Sequence, residues 1–222
     1  MLQSILKISI NAYRHTPLHP HLTGRASKVL AAIQGEKIVQ RRLHGFEIFL
    51  DTSQWIDSIV LNTGTFEPET IEIVRDLLKP GMSFVDVGAN IGWFSLLGAT
   101  IVGDEGRITA YEPSDWTFDR FTKNIQLNQF GMITARRAAV GQETANAELV
   151  LPCGYRLDGK DTATRQQVDI VSLDEDLAMQ PVDLIKIDTD GFEIDVINGA
   201  RETIKLHKPN IIFEVMTRTE RD

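Results

Sequence analysis

The stretch FVDVGANIGWF, residues 84–94, sets Asp86 in an otherwise apolar run and follows it with Gly88, Asn90 and Gly92. A carboxylate among Phe84, Val85 and Val87 is costly to bury alone, so Asp86 needs a donor. An ammonium group of a ligand would serve, and so would backbone amides of the glycine turn. Glycine lets backbone approach a ligand closely, and the helix that follows aims its first amides at the same place. The spacing G-x-x-x-G is not the G-x-G-x-x-G that grips a dinucleotide pyrophosphate, and no Gly-Lys-Ser/Thr follows as in a P-loop. Gly88, Ala89, Asn90 and Gly92 therefore read as a turn for a cofactor with a ribose and no pyrophosphate. Glu112, with Pro113 after it, ends RITAYE twenty positions beyond Gly92. A carboxylate there can accept hydrogen bonds from both hydroxyls of a ribose.

The elements that must position these residues follow from patterning. EPETIEIVRDLLKPG (67–81) is a helix: Pro68 suits its first position, Glu67, Glu69 and Glu72 favour the positive end of its dipole, and Pro80-Gly81 stops it. Ile71, Val74, Leu77 and Leu78 form its core stripe. From Ser83 strands and helices alternate: SFVDVGA, then helix WFSLLGATIV, strand GRITAYEP, and helix SDWTFDRFTKNIQLN capped by Ser114 or Asp115. Strand MITARRAAV, a polar irregular excursion over 141–167, strand VDLIKIDTD, helix EIDVINGARETIKL and strand NIIFEVM complete the series. Asn124 and Asn128 are read as bounding the second of these helices, and Asp174 as an N-cap of a short helix. Trp93, Phe94, Phe118, Phe121 and Ile125 are read as core.

Such alternation predicts an α/β fold: a Rossmann-like doubly wound sheet, mostly parallel, with helices on both faces. Ligands then sit outside the carboxyl ends of the strands, where strand order reverses. An N-terminal α/β extension, residues 1–66, precedes the domain at 67–222. In that extension EKIVQRRLHGFEIFLD (36–51) reads as two short strands about His44-Gly45, and residues 1–13 could form a helix with one apolar face. Residues 12–24 read as a loop whose His15, His19 and His21 lack the carboxylate and frame of a metal site.

These motifs resemble S-adenosylmethionine-dependent methyltransferases of the Rossmann-like fold and, more narrowly, the FkbM family. The resemblance rests on FVDVGANIGWFS, AYEPSDWTFDRFTKNIQLN, VSLDEDL, LIKIDTDGFEIDVINGA and KPNIIFEV, in the family's order over roughly residues 80–216. It implies that the glycine turn with Asp86 holds the methionine part of the cofactor and Glu112 the ribose. Asp190 stands where the family more often has glutamate. The chain stops at FEVMTRTERD, before the closing β-hairpin and helix usual for this fold, so that hairpin is expected to be missing.

In LIKIDTDGFE, Leu184, Lys186 and Asp188 share one side of a strand and Asp183, Ile185 and Ile187 the other. A lysine within a central parallel strand calls for partners. Asp188, and Asp86 and Glu214 on the strands expected to flank it, supply a charged cluster that is either catalytic or a structural ion-pair network. Methyl transfer to a hydroxyl needs positioning and removal of a proton. Asp188, Asp190 or Glu193, with Lys186 beside them, could act as base, or two of these carboxylates could hold a divalent cation. Glu193 could equally be a first-turn helix charge.

A net charge of −8 and a pI near 5.2 speak against a nucleic-acid partner. Cys153 is the sole cysteine, so neither a disulfide nor a cysteine zinc cluster can form within the chain, and a reducing, cytoplasmic setting is expected. No run of eighteen apolar residues suggests a transmembrane segment. The reading is an S-adenosylmethionine-dependent methyltransferase acting on an oxygen, and the family resemblance implies a small-molecule or glycan acceptor, such as a sugar, glycolipid or secondary metabolite. A truncated or degenerate cofactor-binding domain is the alternative. A nicotinamide-dependent oxidoreductase is disfavoured by the missing third glycine.

Overall fold

The computed structural model describes residues 38–153, 156, 163–189 and 191–213 of the 222-residue chain. The expectations for residues 1–13 and 12–24, and for Asp190 and Glu214, fall outside the described residues. The hairpin about His44-Gly45 is present: β1 (Ile38–Leu43) pairs antiparallel with β2 (Phe46–Asp51), with Leu43 opposite Phe46. His44 and Gly45 both have positive φ, 51° and 97°, the signature of a two-residue turn whose twist matches its strands. Phe46, Ile48 and Leu50 alternate inward from β2 into the main core.

Helix α1 (Trp55–Thr63) follows, then α2 (Pro68–Leu77) with proline in its first turn and Ile71 and Val74 buried. A five-stranded parallel sheet comes next: β3 (Ser83–Val87), β4 (Arg107–Tyr111), β5 (Ile133–Arg136), β9 (Leu184–Ile187) and β10 (Asn210–Phe213). Their spatial order is β10-β9-β3-β4-β5, so strand order reverses between β3 and β9. Helices α3 (Trp93–Val102) and α4 (Asp115–Asn128) make the first crossovers, and Ser114 caps α4 by accepting from the Thr117 amide. Helices α5 (Leu173–Asp176), α6 (Glu193–Asn198) and α7 (Arg201–His207) complete the set.

Period-two alternation divides the core between the two faces of this sheet. Phe84, Ile108 and Leu184 join α1, α2, α3, α4 and β2 on one face. Val85, Val87, Ile185 and Ile187 join α5 and α6 on the other. Asp86 and Lys186 fall on the first face by the same alternation, and the register sets them side by side.

Three expectations change. Residues 141–167, read as an irregular excursion, instead contribute β7 (Ala145–Pro152) and β8 (Ala163–Val171), paired antiparallel over eight registered positions. Only Val168 of this pair is deeply buried, so the hydrophobic signal is faint. The expected strand MITARRAAV breaks after Arg136, and β6 (Ala139–Val140) leaves to pair with β8 in a separate three-stranded sheet. The expected helix EIDVINGARETIKL is α6 and α7, broken at Gly199-Ala200. A side chain at Gly199 would lie 2.0 Å from the Gly141 carbonyl oxygen, so the break is where two backbones touch.

Asn124 and Asn128 do more than bound α4. Asn124 accepts from the Phe49 amide at 2.8 Å and donates to the Ile91 carbonyl at 2.9 Å. Asn128 accepts from the Glu47 amide, and its Nδ2 donates to the Glu47 and Asn124 carbonyls. Together they bind the open edge of β2 to α4, and Asn124 ties both to the glycine turn. Asn124→Ala should leave the Phe49 amide and Ile91 carbonyl without partners and lower stability by about 2–4 kcal/mol. Urea unfolding checks this, and an unchanged midpoint would mean that these contacts do not hold the hairpin in place.

Candidate functional site

The glycine turn is closed upon itself. Gly88 and Ala89 donate their amides to the Tyr111 carbonyl at 3.0 and 2.9 Å, and Gly92 donates to the Ala89 carbonyl at 2.9 Å. The Asn90 amide donates to Glu112 Oε2 at 3.0 Å, and the Ile91 amide to Asn90 Oδ1 at 2.8 Å. Every amide from Gly88 to Gly92 is thus engaged by the protein. A turn in this state offers none of these donors to a pyrophosphate, a stronger argument against a dinucleotide than glycine spacing.

The glycines have steric work as well. A Cβ at Gly88 would stand 1.8 Å from the Asp188 carbonyl oxygen, and one at Gly92 would stand 2.3 Å from the Phe121 ring. Both have positive φ, 80° and 92°. Close approach at Gly88 is therefore first an approach to β9, whose end it clamps through the Asp188 amide donating to Val87 at 3.0 Å. A substitution at Gly88 tests this joint and says nothing about a ligand.

Glu112 is buried where the turn meets α4, with Oε1 accepting from the Ser114 amide at 2.9 Å. Pro113 lies between these contacts, half-buried. Ala89 is buried inside the turn.

On the other side of the joint, Lys186 is buried and donates to Asp188 Oδ2 at 2.9 Å. Its Nζ also lies 4.7 Å from the centre of the Phe94 ring, a favourable place for a cation. Burial pulls the lysine pKa down, but Asp188 and Asp86, then Glu67, outweigh it and hold it above the ordinary value. Asp86 is wholly buried beside it. Burial raises the pKa of this carboxyl against the opposing pull of Lys186 and Ser95, whose hydroxyl donates to Oδ2 at 2.6 Å. Asp86 Oδ1 has no hydrogen-bond partner among the described residues.

Glu193 has a settled place. Its Oε1 accepts from the Gly191 amide at 2.9 Å, the Thr189 hydroxyl at 3.1 Å and the Thr189 amide at 3.3 Å. Burial raises its pKa, yet these hydrogen bonds prevail and hold it below the usual carboxylate value. It braces the turn after β9, as a first-turn helix charge does. Asp174 caps a helix, but a distant one: it accepts from the Glu202 and Thr203 amides at the start of α7, while Ser172 caps α5. Among the described residues no group of three or more histidine, cysteine or acidic side chains is arranged to hold a metal ion. No described helix is long and apolar enough to cross a membrane.

The Methyltransferase FkbM domain profile matches residues 86–222, more than half of the chain. The chain belongs to the FkbM methyltransferase family. It is 29% identical over 148 residues to Methyltransferase 1 of Beauveria bassiana (strain ARSEF 2860), a match covering 54% of this chain and 59% of that protein. The crystal structure of methyltransferase FkbM from Methylobacillus flagellatus KT superposes with a TM-score of 0.45 at 20% identity, covering 72% of this chain and 42% of that one. A SAM dependent methyltransferase from Aquifex aeolicus gives 0.38 at 14% identity, covering 65% and 59%. The chain thus spans about three-fifths of the curated relative it matches and less than half of the FkbM structure.

Ahead of the matched FkbM segment lies Glu67, which the sequence reading assigned only to the helix dipole. It lines a pocket of about 260 Å³ with Thr70, Lys186, Asp188, Ile212 and Phe213. Burial raises the Glu67 pKa, Lys186 opposes this, and Asp188 and Asp86 add to it. A topological argument could have found it. Helix α2 has ten residues and spans about 15 Å. Strand β3 has five and spans about 17 Å. Joined by a short loop and running back to back, they bring the start of α2 level with the end of β3. Ser95, one helical turn into α3, was missed because a serine inside an apolar helix carries no motif.

Lys186→Met should remove the cationic partner that Asp86 and Asp188 share and cost about 3–5 kcal/mol at neutral pH. The deficit against wild type should shrink as pH falls, because protonated carboxyls need no counter-charge. Denaturant unfolding at neutral and acidic pH checks this, and an equal deficit at both would contradict the charge argument.

Proposed function

We propose that this FkbM domain is an S-adenosylmethionine-dependent methyltransferase that methylates a hydroxyl oxygen on a small-molecule or glycan acceptor. The observation that carries the reading is Asp86 Oδ1. This carboxylate oxygen is buried at the point of strand reversal with no hydrogen-bond partner among the described residues, next to a turn whose own amides are all engaged. It can accept a further donor, and the cofactor's amino group is one candidate. Glu112, buried at the end of the adjacent strand, is the candidate acceptor for the ribose hydroxyls. When bound, S-adenosylmethionine supplies an electrophilic methyl group on a sulfonium.

The chain's own task is then to orient the acceptor and hold its proton. Asp188 is the candidate base best supported among the described residues. Its side chain is 30% exposed and it lines the pocket, while Glu193 is taken up by three donors of its own turn. Lys186 holds Asp188 through Oδ2 and so fixes the direction in which the carboxylate faces. Carboxylates near an acceptor hydroxyl act as general bases when within hydrogen-bond reach.

Calorimetric titration with S-adenosylhomocysteine, with NAD as control, tests the cofactor. Micromolar binding of the first ligand alone is expected, and equal or tighter binding of NAD would refute the assignment. Asp188→Asn, carried through the same titration, should keep cofactor affinity within a few-fold while abolishing methyl transfer to a hydroxyl acceptor. Retained turnover would remove Asp188 from the base role.

A further inference from the structure

The pocket of about 260 Å³ between the start of α2 and the ends of β9 and β10 has walls of two kinds. Glu67, Thr70, Lys186 and Asp188 form a polar side, and Ile212 and Phe213 an apolar one. Lys186 donates to Asp188 Oδ2 at 2.9 Å, and the Thr70 hydroxyl donates to the Glu67 carboxylate. The polar side therefore presents carboxylate oxygen from two separate elements, α2 and β9. Such a surface suits an occupant with hydroxyl donors and repels one that carries a carboxylate or phosphate. Asp188 has a use in the reading above, as the base that takes the proton of the reacting hydroxyl. Glu67 has none, yet its backbone is unusual. An N-cap residue is ordinarily extended, and the residue before a proline is pushed the same way. Glu67 is both, and it has φ 46° and ψ 65°. Gln129 and Lys208 share this left-handed conformation, but at the ends of helices, where it is common. A residue with a side chain keeps such a conformation only where its surroundings impose it. Here it comes with a half-buried carboxylate on the wall of a cavity.

We propose that Glu67 is a specificity-determining residue for the acceptor, and that the acceptor is a neutral diol. The Glu67 carboxylate accepts a hydrogen bond from a second hydroxyl of the molecule whose first hydroxyl Asp188 deprotonates. The C–H face of that molecule lies against Ile212 and Phe213. The proposal rests on the methyltransferase reading above and adds to it a residue ahead of the matched segment, 86–222. The cavity is small beside most ligand sites, so it takes one ring or a short chain of the acceptor. Hydroxyls on a molecule of that size can meet both walls at once. A site built to hydrogen-bond a hydroxyl rejects the analogue that lacks it, because its own acceptor is then left unpaired. Glu67 is half-buried rather than sealed, so the preference expected is that of one hydrogen bond to a charged group, about tenfold to a hundredfold. An anionic substituent at the same place meets two like charges and is disfavoured.

The experiment measures methyl transfer from S-adenosylmethionine to cis-1,2-cyclohexanediol, cyclohexanol and cis-2-hydroxycyclohexanecarboxylate. It compares wild type with Glu67→Met, which keeps the length of the side chain and removes the carboxylate. Wild type should favour the diol over the mono-alcohol by about tenfold to a hundredfold in kcat/KM, and should use the hydroxy acid least. In the variant the advantage of the diol should largely disappear, mainly through KM. A structural fault would instead slow both alcohols alike and leave their ratio unchanged. Titration with S-adenosylhomocysteine should give equal affinities, which shows that the variant is folded. Glu67→Gln, which keeps the shape and removes only the charge, should lose part of the advantage, and it decides the question should the methionine variant not fold. An unchanged ratio in a variant that binds S-adenosylhomocysteine normally refutes the role of Glu67. So does a wild type that methylates none of these alcohols or prefers the hydroxy acid, and so does a variant whose only loss is affinity for S-adenosylhomocysteine. Wild type that does not bind S-adenosylhomocysteine would overturn the cofactor reading itself, and the proposal with it.

Discussion

A charged amine inside a parallel sheet governs the arrangement of everything around it. Lys186 lies on β9, flanked by β10 and β3, with apolar neighbours above and below. Leaving such a group alone would cost several kcal/mol, and its compensation comes from specific places. Asp188 lies two residues along the same strand, Asp86 is beside it in register, and Glu67 is at the start of α2. These partners converge only if β3 and β9 are adjacent and correctly aligned. A slip of one residue would set Lys186 level with Val85 or Val87, whose side chains face the other layer. The cluster thus fixes register as well as charge, and the contact of Gly88 with the Asp188 carbonyl locks the same joint sterically.

This dependence explains which parts of the structure were legible in the sequence. Strong periodicity and clear punctuation gave α2, the cap of α4, the β1–β2 turn and the alternating series. A lysine in a strand, with an aspartate two residues on, pointed to the Lys186–Asp188 pair because period two leaves no other arrangement. Helix α1 went unread because WIDSIVLNT mixes β-branched residues with an uncapped start, and its buried Asp57 finds Arg120 only in three dimensions. The β7–β8 hairpin went unread because it is largely solvent-facing, so polar residues dominate its strands. The break between α6 and α7 comes from backbone contact with Gly141, a tertiary fact with no local trace.

The candidate site shows the same division. Asp86, Glu112 and Asp188 were read as site candidates because carboxylates at strand ends are conspicuous against apolar runs. Glu193 was equally conspicuous, and its carboxylate accepts three hydrogen bonds from Thr189 and Gly191 in the turn after β9. Glu67 looked ordinary, since glutamate is common at helix starts. Charge at a helix start and charge in a pocket are the same residue here, and only the packing of α2 against β3 distinguishes them. Sequence patterns recover what one element dictates, but the meeting of separate elements must come from the fold.

The two halves of the site are built in opposite ways. In the glycine turn, all five amides are satisfied internally, and Glu112 and Asn124 tie it to neighbouring elements. Such a turn is a rigid frame with little left to gain. Around Lys186, three carboxyls share one lysine, burial raises the pKa of Asp86 and Glu67, and Asp86 Oδ1, behind the pocket wall, has no hydrogen-bond partner among the described residues. That half is less stable than an apolar packing of the same volume would be, because its polar groups are incompletely matched. A ligand that supplied the missing donor would relieve this mismatch and gain affinity from it. Preorganisation of this kind puts the cost of gathering like charges into folding, where the apolar core offsets it, and leaves the return to binding.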